Sequence, residues 1–370
     1  MGSAAALFLA REHAAEVTVL ERDPSYRNAS SALSASSIRQ QFSTPVNIAL
    51  SQASLELMRP WLHELAFVEA GYLYLASAAG AATLRDINAM QRDAGADIRL
   101  LDPDQLRAHW PWLALDGVGL GAWGARGEGW FDGPALHQRL QREAKASGAR
   151  FLRADAVGFT SHGARVRAVL DSEGHRHEAD AFVLAAGAWS APLAARLGVE
   201  LPVRASKRDV FVLESPALLP RCPLIIDPAG VWLRPEGMGF LAGAPPRGDD
   251  GDDGDDAPLD AIDLGLFDDV IWPTLAARIP AFEALRVRSA WAGYYEMNTF
   301  DHNGLVGALP GWHNAFTACG FSGHGMQHAP AVGRGLASLV ATGSWGPLEL
   351  SALSPERLRR NAPLVETNVI

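Results

Sequence analysis

Two cysteines in 370 residues, Cys222 and Cys319, are too few for a disulfide framework and supply no zinc site, which fits a reducing compartment. Positive charge is also short: 32 Lys and Arg against 42 Asp and Glu give a net charge of -10. A surface that binds phosphate backbones needs clustered Lys and Arg, so no nucleic-acid partner is expected. No apolar run reaches the ~18 residues of a membrane span. The first apolar stretch carries Arg11, Glu12 and His13 inside its pattern, and it has neither the basic start nor the cleavage site of a signal peptide. A cytoplasmic protein without a membrane span is the expectation. No internal repeat is visible. What remains is globular composition, 48% hydrophobic and 20% charged, in a chain long enough for one large or two medium domains.

The opening stretch, "MGSAAALFLAREHAAEVTVLERD", reads as a helix from Gly2 to about Ala14 and a strand from Val17 to Leu20 that ends in Glu21. In a dinucleotide-binding βαβ unit, a glycine-rich turn leads into a helix whose N-terminus holds the pyrophosphate. An acidic residue ~20 positions on takes a ribose hydroxyl. Gly2 fits the last glycine of that fingerprint and Glu21 fits the acid; the first two glycines and the first strand are absent. From these residues alone, an ordinary amphipathic helix followed by a strand stays open.

Helical period continues from Pro45 to about Leu65 and again over "DGPALHQRLQREAKASG", which has its start signal at Asp132 and Pro134. The block from Lys207 to Ala244 is strand and turn throughout. "AGYYEMNTFDHNGLVG" reads as strand, turn, strand with Asn303-Gly304 at the turn. The aspartate-rich insert Asp249 to Asp256 lacks the ordered ligand spacing and closing Glu of a calcium loop and is expected to be a solvated hairpin tip. No metal site is expected. Helix-strand units at both ends and in the middle, with strand-rich blocks between them, predict an α/β protein of two domains (α+β in its overall layout). Residues 1–70, 127–205 and 300–370 form a discontinuous nucleotide-binding domain, and residues 71–126 and 206–299 form an inserted, mainly antiparallel one.

Two further segments carry candidate chemistry. In "FVLAAGAWS" a buried strand runs into Ala186, Gly187 and Trp189, where small residues allow backbone to approach a flat or phosphorylated group. In "CGFSGHGMQHAPAVGRG", Gly320, Gly323 and Gly325 surround Ser322 and His324 ahead of a helix. Such a loop presents N–H donors and a helix dipole to an electron-rich group. His324 reads either as a base or as a hydrogen-bonded structural histidine.

Taken in order, "GSAAALFLARE", "VTVLERD", "SALSASSIRQQFS", "GEGWFDGPAL", "FVLAAGAWS", "AGYYEMNTFDHNGLVG" and "GFSGHGMQHAPAVGR" resemble the D-amino-acid oxidase/sarcosine oxidase (DAO) family of FAD-dependent amine oxidoreductases, over nearly the whole chain. The resemblance implies a glutathione-reductase-type, Rossmann-like FAD domain. It places Gly2 and Ser3 at the FAD pyrophosphate, Glu21 at the adenosine ribose, and Ser36 and Ser37 near the pyrophosphate and isoalloxazine. Val157 would contact adenine through its backbone, and Ala186, Gly187 and Trp189 would line the cofactor. The loop Gly320, Gly323, His324, Gly325 and Met326 would reach the flavin pyrimidine edge. Arg39 matches the arginine that binds a substrate carboxylate. The implied reaction is oxidation of a small amino acid or N-methyl amino acid, by hydride transfer from the substrate α-carbon to flavin N5, giving an imine that hydrolyses.

The chain departs from the family pattern at three places. The cysteine that attaches FAD covalently in monomeric sarcosine oxidases is matched by Tyr294, so FAD is expected to be non-covalent. The oxygen-activating lysine is matched by Leu241 or a neighbour, and a carboxylate-binding lysine by Gln327. A dehydrogenase is therefore expected at least as readily as an oxidase, with oxygen, a quinone or an electron-transfer protein as acceptor. Arg39, Tyr294 and Gln327 are the catalytic candidates, and Tyr295 and His302 lie near the same face. The competing expectation is a non-catalytic FAD-binding assembly or interaction factor. Relatives carry an apolar strand and "GGGIMGS"-like glycines at the position of Met1-Gly2-Ser3, so Met1 is expected to be an internal methionine of an N-terminally truncated fingerprint.

Overall fold

The structure, a computed structural model, describes residues 1–247 and 257–369. The expected aspartate-rich tip, Asp249 to Asp256, lies outside the described residues. The first helix, Gly2–His13, ends at Ala14, which takes the left-handed conformation at φ 50°. It is less amphipathic than its sequence suggests: Ser3, Ala4, Ala5, Ala6, Leu7, Phe8 and Ala10 are all buried, and only its end, at Arg11 and Glu12, reaches solvent. Small side chains permit this, because the helix is sandwiched between Gly133–Ala146 and the long helix Gly325–Thr342. A Cβ on Gly333 would lie 2.5 Å from Ala4 Cβ and 2.7 Å from the Ala4 carbonyl carbon. Gly333→Val is therefore expected to destabilise the fold by about 1–3 kcal/mol through overpacking, measured by chemical denaturation. An unchanged midpoint would mean that the two helices separate freely.

Thr18–Glu21 pairs in parallel with Arg150–Arg153, in register Thr18 with Arg150 through Glu21 with Arg153. A second parallel pair, Phe182–Leu184 with Ala315–Cys319, is extended by antiparallel Leu305–Ala308. These are separate pieces. Among the described residues, Thr18–Glu21 and Phe182–Leu184 are each paired along one side only, and both border the same cavity. A three-stranded antiparallel meander, Ala156–His162, Arg165–Asp171 and Arg176–Glu178, stands beside them.

The remaining long sheet has eight strands, in spatial order 286–298, 203–214, 239–243, 232–236, 224–226, 72–77, 118–124 and 98–101. All its pairings are antiparallel except Leu224–Ile226 against Tyr72–Ser77. Its largest core gathers Leu73, Leu106, Trp110, Phe211, Leu233, Ile271 and Phe282.

One local reading changes and another gains its topology. The helix at Pro45 ends as an α-helix at Met58 and tightens into a 3-10 turn over Arg59–Trp61, because Pro60 has no N–H to continue the ladder. The Asn303-Gly304 turn joins no hairpin: Arg286–Asn298 belongs to the eight-stranded sheet and Leu305–Ala308 to the three-stranded one. The connection is held by buried side chains instead. Asn298 Nδ2 donates to Asp301 Oδ1 at 2.8 Å, and Arg357 grips Asp301 through Nε to Oδ2 at 2.7 Å and Nη2 to Oδ1 at 3.0 Å.

Candidate cofactor and active site

The sequence-predicted residues converge on one cavity of about 1600 Å³. Gly2, Ser3, Glu21, Ser36, Ser37, Arg39, Val157, Ala186, Gly187, Trp189, Tyr294, Gly323, His324, Gly325, Met326 and Gln327 all line it. Gly320 does not. It lies behind the loop, against Val203 and Asn298, and its backbone N–H reaches the Glu296 carboxylate.

One end is built by the first helix and strand. Ser3 Oγ shares a hydrogen bond with His137 Nε2 at 3.3 Å, and burial lowers that imidazole to a pKa of about 4. Glu21 closes its strand at the cavity wall. Burial raises its pKa above the ordinary carboxylate value, although one oxygen accepts the Asp23 N–H at 2.9 Å. Beside it, the Arg22 guanidinium lies 4.0 Å over the Trp189 ring. Val157, half exposed, and His177, anchored to Asp171 Oδ2 at 2.9 Å, complete this wall. Gly187 turns the chain out of its strand at φ 58°, a conformation that suits glycine.

The other end surrounds Arg39. Its N–H donates to Gln327 Oε1 at 2.9 Å, tying the segment that follows Ser36 and Ser37 to the long helix. The guanidinium packs 4.4 Å over the Phe42 ring and donates to Tyr74 Oη and to the Asn368 carbonyl. Arg39 is only 4% exposed, yet among the described residues no carboxylate pairs with it. Tyr72 Oη and Ser37 Oγ share a hydrogen bond at 2.6 Å on the adjacent wall. Tyr294, a sequence candidate for this end, instead packs on the Trp189 side of the cavity: its ring meets Trp189 edge-on at 6.0 Å and its hydroxyl is donated to the Ala257 carbonyl.

The glycine-rich loop meets this end from the long helix. Gly323 has φ 96°, and a Cβ there would stand 2.2 Å from the Tyr295 ring, so only glycine fits. His324 precedes the helix, fully buried, with both ring nitrogens unpartnered among the described residues. Burial first, then the charges of Arg39 and His302, lower it to about 3, so the imidazole is neutral at physiological pH. The neighbouring His328 is lowered as well, and its Nε2 lies 3.1 Å from Ser51 Oγ.

Two carboxylates in this region were not anticipated. Glu296 lines the cavity; burial pushes it up to about 7, against the N–H groups of Gly320 and Phe321, and its Oε2 has no hydrogen-bond partner among the described residues. Glu128 is fully buried beneath Arg39. It accepts the Gln40 N–H at 2.6 Å and the Gln41 Nε2 at 2.8 Å, and burial still pushes it up to about 8. Its flanking glycines were the signal available: a Cβ on Gly124 would overlap its Oε2 at 2.1 Å, and one on Gly129 would meet Val68 O at 2.0 Å.

A carboxyl held above its ordinary value of 4.5 keeps its proton in the folded state while the unfolded chain loses it. The stability this gives is complete below about pH 4.5 and is lost as pH rises toward 8. Glu128→Gln is expected to flatten the fall in unfolding free energy across that window, by up to about 1.4 kcal/mol per pH unit. Denaturation curves at stepped pH check it; an unchanged slope would show the group ionised in the fold.

Leu241, at the position matched to the oxygen-activating lysine, is buried in the large sheet and does not line the cavity. Neither Lys145 nor Lys207 lines it, and the Lys207 amine is donated to the Ala261 carbonyl. Cys222 and Cys319 are buried away from it.

The family of FAD dependent oxidoreductases (DAO) matches residues 1–339. FAD-dependent oxidoreductase domain-containing protein 1 from Xenopus laevis is 37% identical over 97% of this chain and 80% of that protein, and the Bos taurus protein is 38% identical over 92% and 78%. Among solved structures, L-proline dehydrogenase from P. horikoshii superposes with a TM-score of 0.85 at 25% identity, covering 98% of this chain and 96% of that one. Glycine oxidase from Geobacillus kaustophilus gives 0.79 at 22% identity, covering 95% and 94%. The chain belongs to the DAO family of FAD-dependent oxidoreductases.

Proposed function

We propose that this protein oxidises a small amino acid or N-methyl amino acid at the carbon bearing its amine. The observation that carries the reading is Arg39: a buried guanidinium on the cavity wall whose acceptors are a phenol and a main-chain carbonyl, with no carboxylate in ion-pair contact among the described residues. A cation in that position favours an incoming carboxylate, which its planar fork of donors fits. Gln327 fixes the Arg39 backbone, and Tyr294 lines the same cavity farther along, against Trp189.

The residues present fit FAD. The cavity is long enough to run from Glu21 to Arg39, glycine backbone borders it at Gly2, Gly323 and Gly325, and the buried nitrogens of His324 and Oε2 of Glu296 await partners. FAD, when bound, supplies the redox centre that takes up the hydride leaving the substrate α-carbon. Gly2 and Ser3 at the first helix would face its pyrophosphate, with Glu21 at the ribose and Val157 at the adenine. The start of the long helix, a source of positive potential, would face the reduced ring. With both cysteines off the cavity wall, no thiol is placed to attach the cofactor, and it would be held non-covalently. Residues 1–70, 127–205 and 300–370 would hold it, and residues 71–126 and 206–299 would close over the substrate. Hydride departure from a neutral amine needs no general base. A cavity wall without lysine supports a dehydrogenase as much as an oxidase.

Anaerobic titration of the FAD-loaded protein with sarcosine, dimethylglycine, proline and D-amino acids tests this. Loss of flavin absorbance with one of these classes is expected. No bleaching by any of them would overturn the reading in favour of a non-catalytic flavoprotein.

A further inference from the structure

The segment after Arg357 runs back across the molecule to the loop that carries Arg39. Leu364 N–H donates to Asp301 Oδ2 at 2.9 Å and Glu366 N–H to the Asp301 carbonyl at 3.0 Å. The Glu366 side chain is then fully buried and collects donors from one short stretch: Ser43 N–H at 2.7 Å, Ser43 Oγ at 2.6 Å, Thr44 Oγ1 at 2.8 Å and Asn47 Nδ2 at 3.0 Å. That stretch opens the helix Pro45–Met58, whose dipole also favours an anion there. Two residues later the strap crosses the active-site loop. Asn368 Nδ2 donates to the Gln41 carbonyl at 3.1 Å, and the Asn368 carbonyl accepts from the Arg39 guanidinium.

We propose that Glu366–Asn368 is a positioning element for the substrate carboxylate: the Glu366 anchor holds the Asn368 carbonyl against one Nη of Arg39, so that the guanidinium presents its remaining donors to the ligand in a fixed orientation. A guanidinium has five N–H donors, of which Tyr74 and Asn368 take one each, leaving three. Both acceptors are neutral, so the positive charge stays available. Without the strap, Arg39 regains rotamers and water, and the fork is no longer set for two-point contact. The proposal rests on the assignment of Arg39 as the carboxylate anchor.

Calorimetric titration of the FAD-loaded protein with pyrrole-2-carboxylate and with its uncharged analogue pyrrole-2-carboxamide separates the two claims. Wild type is expected to prefer the carboxylate, and Arg39→Ala to lose that preference; failure of either overturns the Arg39 assignment itself. Given that preference, Glu366→Ala is expected to weaken the carboxylate at least tenfold while leaving the carboxamide unchanged. Carboxylate affinity equal to wild type, or equal weakening of both probes, would overturn the positioning role. Ser43→Ala removes one donor to Glu366 and the acceptor of the Thr367 N–H at 2.8 Å. It is the milder variant should Glu366→Ala not fold, and a smaller loss in the same direction is expected.

Discussion

Arg39→Ala is expected to lower kcat/KM for a carboxylate-bearing amine by on the order of 10²–10³-fold. Truncating one partner of a buried, hydrogen-bonded charge pair costs about 2–5 kcal/mol, because the other charge is left desolvated and unpaired. Arg39 meets the conditions for the upper part of that range: it is 4% exposed, stacked on Phe42, and held from two sides by Tyr74 and Asn368. Arg39→Lys should recover little, since a single ammonium cannot supply the planar fork or reach Tyr74 and Asn368 together. The loss should fall mainly on substrates that carry a carboxylate, with an amine of similar size but no carboxylate affected far less. Steady-state kinetics with such a pair checks it, and a uniform tenfold loss on both would mean that Arg39 supports the fold rather than the ligand.

Asp301→Ala is expected to cost about 3–5 kcal/mol of stability, the range for breaking a buried ion pair by removing one partner. Asp301 is fully buried, and its carboxylate serves the Arg357 fork, Asn298 Nδ2 and the N–H groups of Asn303 and Leu364. Removing it strands the Arg357 guanidinium, which is then left with the carbonyls of Leu353, Ser354 and Asn303. The double variant Asp301→Ala with Arg357→Met should regain part of the loss, because a stranded charge costs more than an apolar replacement. Chemical denaturation measures both. A loss below about 1 kcal/mol for the single variant would place this network outside the stabilising core.

The elements that could be read from the sequence are those whose signals are local. The helix after Gly2, the acid at Glu21 and the glycine loop at Gly323 and Gly325 each announce themselves within a few residues, and all three reach the cavity. The Asn303-Gly304 dipeptide is local in the same sense and lies between two strands as read, but which sheet each strand joins depends on where it finds a partner. Glu128 and Glu366 could not be read in this way. The donors of Glu128 come from Gln40 and Gln41, and those of Glu366 from Ser43, Thr44 and Asn47, far away along the chain. Nothing near Glu366 distinguishes a buried acceptor from a solvated charge, and near Glu128 only the glycines hint at crowding. Gly320 shows the opposite limit: it belongs to the right loop by pattern, but its backbone serves Glu296 instead of the cavity.

The one-sided pairing of Thr18–Glu21 and Phe182–Leu184 also bears on how the molecule behaves in concentrated solution. Among the described residues, each strand offers an unpaired edge of backbone donors and acceptors beside the cavity they share. Open edges of this kind are templates for pairing with a stranger's extended chain, and folded proteins guard them with charge, proline or cover. The first edge, Thr-Val-Leu-Glu, carries charge only at its end, in Glu21 and the following Arg22. Over the apolar part of that edge cover is the remaining protection, so whatever fills the cavity also shields the edge from foreign strands.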